Sequence, residues 1–227
     1  MTRMFTGSLL AASLLAGTLA TEASADPITT SFVSGIDPTF QKVAHSRVRG
    51  WSTGWEAATG QEVGVPGHPN ASWNWSTSTG PQEFIWDVAD GVSSLTINGQ
   101  SIIESGLVDG ATDLFLQLRA TDYNSFLGSL TATDLALIID GQSTSLPDLS
   151  AASGWSGLLQ VSGLGGAGID FRLTGTLDGN FHQIKEERIK IDMKAYIDPN
   201  ADTAVPSPGT LAIGALGATF LLLRRSL

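Results

Sequence analysis

The 227-residue chain contains no cysteine. That absence excludes disulfide staples, metal-thiolate sites and a cysteine nucleophile, and several enzyme classes with them. Histidine is scarce: His45, His68 and His182 stand alone, and neither a His-Glu-x-x-His nor a Gly-x-Ser-x-Gly string occurs. Cations are outnumbered, 12 Lys and Arg against 22 Asp and Glu, for a formal charge of -10. Nucleic acid is therefore a poor partner, because binding it requires phosphate neutralisation by Lys and Arg. The acids are dispersed between apolar runs, as solvated loops require. Sustained helical periodicity is also missing, which leaves short alternating runs as the main structural signal.

Both ends carry targeting patterns. Arg3, a short apolar stretch over residues 9–19 and the small-x-small site Ala23-Ser24-Ala25 before Asp26 predict a removable signal peptide, residues 1–25. At the other end Val205-Pro206-Ser207-Pro208-Gly209 precedes an apolar run over residues 210–223 and then Arg224 and Arg225, the polarity of a membrane segment whose positive end stays inside. As a helix that run is about 20 Å long against a hydrocarbon core of about 30 Å, a temporary span and a poor permanent one.

The tail resembles the PEP-CTERM sorting signal of bacterial surface proteins, in which Val-Pro-Glu-Pro precedes an apolar helix and a terminal arginine cluster. Ser207 stands where that family has Glu. The resemblance implies export, transient insertion of residues 204–227 in the inner membrane, and cleavage near Pro206 to Pro208. It further implies signal peptidase and an exosortase-type protease as processing partners, and delivery to the cell surface or the exterior.

The body, residues 26–203, has the size of one domain; at roughly 180 residues a chain buries about 70% of its unfolded surface, enough for a core without staples. Its runs read as strands. Phe84, Trp86 and Val88 alternate with Ile85 and Asp87, and Leu114, Leu116 and Leu118 with Phe115, Gln117 and Arg119. Asn98-Gly99 predicts a two-residue hairpin pairing Ile97 with Gln100 and Leu95 with Ile102. Asp140-Gly141 and Asp178-Gly179 predict two more turns, and the Gly-rich residues 163–168 another. Residues 135–139 are continuously apolar, the pattern of a strand covered on both faces. If Asp178-Gly179 turns, core parity must switch before Ile189, which predicts an irregularity or change of sheet within residues 185–188. Together these signals predict an all-β fold, an antiparallel β-sandwich of jelly-roll type with a barrel as the alternative. The string through Leu114, Leu137 and Phe171 to Gly175 looks like the choice-of-anchor domains, exported β-rich modules, and that resemblance brings no catalytic residues to transfer.

Candidate sites follow from residue type. Trp51, Trp55, Trp73, Trp75 and Trp86, with Asn74 between two of them, crowd one third of the body, where residues 54–81 are loop-like in composition, and indoles on loops suit sugar stacking. Core packing is the competing account of each Trp. Arg188, Lys190 and Lys194 share a face of the last strand and would dock an acidic exopolysaccharide or, more simply, protect an exposed edge. Asp198, Asn200 and Asp202 have calcium-loop spacing without its glycine or closing glutamate, so a linker explains them better and no metal site is expected. Glu56, Glu62, Glu83 and Glu104 supply carboxylates, though none is singled out as a pair for glycoside hydrolysis. No catalytic residue and no cofactor is expected. The overall expectation is an exported, non-enzymatic surface or matrix protein that binds carbohydrate or other surface components. The alternatives are a secreted glycan-active hydrolase and a self-associating coat subunit.

Overall fold

Two-residue turns set much of the strand pairing. Asn98 and Gly99 both adopt positive φ, 47° and 81°, and join β6 (Val92–Ile97) to β7 (Gln100–Ser105) in the expected register, Ile97 opposite Gln100 and Leu95 opposite Ile102. Asp140-Gly141 does the same between β9 (Ser129–Ile139) and β10 (Gln142–Ser145). A further hairpin that the sequence reading did not mark lies at Asp90-Gly91, between β5 (Gln82–Ala89) and β6.

The computed structural model describes residues 27–51, 54–64, 70–76, 80–121, 128–166, 169–180 and 189–201, all within one compact unit, Ala25–Val205. The signal-peptide and sorting-tail residues lie outside them. The other strands are β1 (Thr29–Val33), β2 (Gln41–Trp51), β3 (Gly54–Gly60), β4 (Asn70–Ser76), β8 (Ala111–Ala120), β11 (Leu149–Ala152), β12 (Gly154–Trp155), β13 (Leu158–Gly166), β14 (Phe171–Asn180) and β15 (Ile189–Ile197). No helix occurs among the described residues, so none there is long and apolar enough to cross a membrane.

The strands form two antiparallel sheets. The first runs β1-β13-β8-β15-β2-β3-β4, with the short β12 also on β8; the second runs β10-β9-β14-β5-β6-β7, with β11 also on β9. Among the described residues each path is open, with two edge strands, so the architecture is a sandwich and not a closed barrel. The alternating residues meet between the sheets: Phe84, Trp86, Val88 and Leu95 from one side, Leu114, Leu116, Leu118 and Ile191 from the other, all buried. A polar thread crosses this core. Ser46 and Thr59 of the first sheet have hydroxyls 2.6 Å apart, Thr59 and Ser93 of the second are 2.5 Å apart, and the Trp86 indole N–H donates to Ser93 at 2.9 Å.

Several expectations are corrected. Asp178-Gly179 is not a turn; both residues lie within β14, opposite Thr131 and Leu130 of β9. A Cβ on Gly179 would stand 3.0 Å from Leu130 Cδ1 and 3.5 Å from the Trp55 ring, so close packing accounts for this glycine. The chain does pass from the second sheet (β14) to the first (β15), and the connecting residues 181–188 lie outside those described. Residues 163–166 extend β13 through an irregularity between Ser162 and Gly166. The apolar run at 135–139 alternates: Leu135 and Leu137 are buried, whereas Ala136 and Ile138 are only partly covered, because the second sheet packs on one side. Within residues 54–81, strands β3 and β4 pair as a hairpin arm; edge pairing tolerates the Gly, Ser and Asn that suggested a loop. Finally, β15 is interior, between β8 and β2, so its lysines do not guard an edge.

Candidate functional site

Seven Lys and Arg residues lie among those described, and six of them, Lys42, Arg47, Arg49, Arg119, Lys190 and Lys194, stand on the outer face of the first sheet. The exception is Arg172, paired with Asp87 on the second sheet. Only four described carboxylates, Glu56, Glu62, Asp113 and Asp192, share the basic side; the others occupy turns, loops and the second sheet. An acidic chain thus carries one cation-rich face. The arrangement follows from strand register, because residues directly opposite in neighbouring strands share a face. One row across the sheet reads Trp155, Arg119, Lys190, Arg49 and Glu56.

One end of this face is closed. Phe115 is buried beneath Phe40 and Tyr196, with ring centroids 6.0 and 5.3 Å away, and Lys42 forms an ion pair with Glu62. Burial, with Glu62 nearby, pushes the Tyr196 phenol up to about 12. In the middle, His45 Nε2 lies 3.1 Å from Asp192 Oδ1, while the backbone N–H of Val63 donates to His45 Nδ1 at 3.3 Å. This assigns the proton to Nε2. Burial lowers the His45 pKa, an effect stronger than the opposing pull of Asp192. Burial alone would raise the Asp192 carboxyl, but hydrogen bonds from His45 and Lys190 outweigh it and hold the group well below the usual carboxylate range. Both imidazole nitrogens are engaged, so this Asp-His pair clamps the segment at Val63 and offers no nitrogen for proton transfer.

The other end is open. Trp155 is 51% exposed, with the Arg119 guanidinium 5.1 Å and the Lys190 ammonium 5.3 Å from its ring centroid. Cation–π contacts of this kind contribute about 0.5–1 kcal/mol each at exposed sites. Local backbone fixes the indole. Ser153, at φ 54°, turns the chain from β11 in the second sheet to β12 in the first. Ser156 then holds β8 twice, its N–H donating to the Leu118 carbonyl and its Oγ accepting from the Leu118 N–H, both at 2.9 Å. Gly157 follows, where a Cβ would stand 2.6 Å from the Phe32 ring. Lys190 also donates to Asp192 Oδ2 at 2.6 Å, which ties the open end to the buried pair.

The expected sugar site is redistributed. Trp55, at 1% exposure, belongs to the core between the sheets and cannot stack on a ligand, because β3 turns it inward with Ala57. Trp51 ends β2 opposite Gly54, and Trp73, Asn74 and Trp75 lie in β4 opposite Ala57, Glu56 and Trp55; the side chains of these four lie outside the description. The processing residues Ala23, Ala25, Val205, Pro206, Ser207, Pro208, Arg224 and Arg225 lie outside the described residues, as do Arg188, His68, His182 and Asp202. Asp198 Oδ1 accepts from the Asn200 backbone at 2.8 Å, closing its own turn. Glu56 accepts two bonds from Arg49, at 2.8 and 2.5 Å, and Glu62 pairs with Lys42, so both of these glutamates are committed to cations. Sequence alone marks Trp155 as the start of an apolar run and not as a site residue. Its signal was faint: a Gly-Trp-Ser-Gly corner whose neighbours, Arg119 and Lys190, come from distant strands.

No protein-family model matches the chain, and no curated protein does.

Proposed function

We propose that the chain is an exported, non-enzymatic bacterial surface or matrix protein whose sandwich body binds anionic surface carbohydrate. In this reading residues 1–25 are a signal peptide, and residues 204–227 are a PEP-CTERM-like sorting tail cut by an exosortase-type protease. The tail holds the protein transiently in the inner membrane before release to the surface. The observation that carries the binding role is the segregation of six of seven described cations onto one outer sheet face whose open end bears an exposed indole. A body that is acidic elsewhere has its attractive potential for polyanions concentrated there.

Fractionation tests the reading. Antiserum against residues 26–203 should detect a form shortened at both ends, at the cell surface or in the medium. Replacing Val205, Pro206 and Pro208 with Ala should leave a longer, membrane-associated species. Full-length chain dissolved in the cytosol would refute it.

A further inference from the structure

We infer that Trp155, Arg119 and Lys190 form a subsite for the uronic acid units of an anionic polysaccharide. The inference rests on the binding role proposed above and narrows it to one place and one sugar class. A uronic acid presents two groups on one ring, an apolar C–H face and a rim carboxylate. The site presents their complements. Trp155 is 51% exposed, so about half of its apolar indole surface is open to a sugar, and the guanidinium and ammonium that lie over the ring, 5.1 and 5.3 Å from its centroid, are within the breadth of one bound sugar.

Arg119 is suited to the carboxylate. Among the described residues it forms no salt bridge, and its planar fork of N–H donors matches a carboxylate in a bidentate manner. Lys190, bonded to Asp192, is the positioning cation, fixed at the indole and contributing field there. A neutral glycan is served less well. Its hydroxyls need local acceptors, and Asp192, the carboxylate bonded to Lys190, already accepts from His45 and Lys190. The indole is also pre-organised by the Ser153 corner, the two Ser156 bonds to Leu118 and the Phe32 ring against Gly157, so little ordering remains on binding.

The test is affinity electrophoresis and calorimetry of the full chain at ~0.15 M salt, where charges beyond about 8 Å are screened. The probes are polygalacturonate, dextran as a neutral glycan and polyglutamate as a polyanion without sugar. Wild type should bind polygalacturonate in preference to both controls. Trp155→Ala and Arg119→Gln should each weaken binding by roughly tenfold or more, equivalent to ~1.4 kcal/mol. Trp155→Phe should retain most of it, and all three variants should remain folded, with thermal midpoints lowered only by the few degrees that loss of the cation–π contacts accounts for, because neither residue is in the core. Polygalacturonate affinity within twofold of wild type in Trp155→Ala would overturn the assignment, as would equal binding of polyglutamate. Loss in Trp73→Ala or Trp75→Ala with Trp155→Ala unaffected would move the site to β4 and also overturn it. A surface-delivered protein that binds none of the three probes would overturn the binding role itself, a result distinct from failure of this subsite.

Discussion

Replacing Thr59 with Val tests whether the hydroxyl thread between the sheets holds them in register. Thr59 Oγ1 sits between Ser46 Oγ at 2.6 Å and Ser93 Oγ at 2.5 Å, and Ser46, Thr59, Ser93 and Trp86 are all fully buried. Val keeps the shape and removes the middle oxygen, so two buried hydroxyls each lose a partner. Ser46 is left unsatisfied, at about 1–3 kcal/mol, whereas Ser93 still accepts from the Trp86 indole and loses one bond, at about 0.5–1.5 kcal/mol, giving about 1.5–4.5 kcal/mol together. Thr59→Ser keeps the oxygen and deletes one methyl, which costs about 1 kcal/mol. For a domain of this size about 1 kcal/mol shifts Tm by roughly 2–4 °C, so Thr59→Val should lower Tm by roughly 5–15 °C and Thr59→Ser by much less. Adding Ser46→Ala to Thr59→Val should restore part of the loss, because it removes the stranded hydroxyl. Thermal melts with a urea titration would check the order. A Thr59→Val protein as stable as Thr59→Ser would refute the reasoning, and the thread would then be incidental to packing.

Gly91, Gly99 and Gly141 all have positive φ, so Ala at each should cost about 1–2 kcal/mol of strain. Gly91→Ala should be the worst, since its Cβ would also stand 2.9 Å from the Leu107 carbonyl while the other two sites are open; denaturation midpoints rank them. Gly175→Ala should destabilise by about 1–3 kcal/mol through overpacking, because a Cβ there meets Leu135 Cδ2 at 2.7 Å and the Phe84 ring at 2.8 Å. The His45 pKa is lowered on folding, so the unfolded chain binds a proton that the native state resists. That contribution is present above the unfolded value near 6.5 and is lost as pH falls toward the folded one. Stability measured from pH 8 to 5 should therefore decline below about 6.5, and His45→Gln should flatten that limb while lowering stability at pH 8 through loss of the Val63 clamp.

Local chemistry was legible where it acted locally. Asn98-Gly99 and Asp140-Gly141 turn as written because positive φ at two adjacent residues is a property of those residues alone. Asp178-Gly179 has the same chemistry and the opposite outcome. Its pairing with β9 and the crowding of Gly179 by Leu130 and Trp55 are non-local, and they override the turn preference. Likewise, the alternation in β15 correctly separated Ile191 and Met193 from Lys190 and Lys194, yet nothing in that run reveals which strands flank it. The candidate site suffered most from this limit. Trp155, Arg119 and Lys190 are brought together by pairings of β12 and β15 with β8, and only the completed sheet makes them neighbours.

The lopsided placement of the six cations makes the molecule an electrical dipole with an overall negative monopole. In dilute salt a polyanion at a distance senses the overall negative charge, -10 for the full chain, and is repelled. Near ~0.15 M the screening length, about 8 Å, is shorter than the spacing of about 10 Å between packed sheets, so only the nearer face is felt. Capture should consequently peak at intermediate ionic strength, and the approaching body will be turned with its acidic back to the solvent before contact is made.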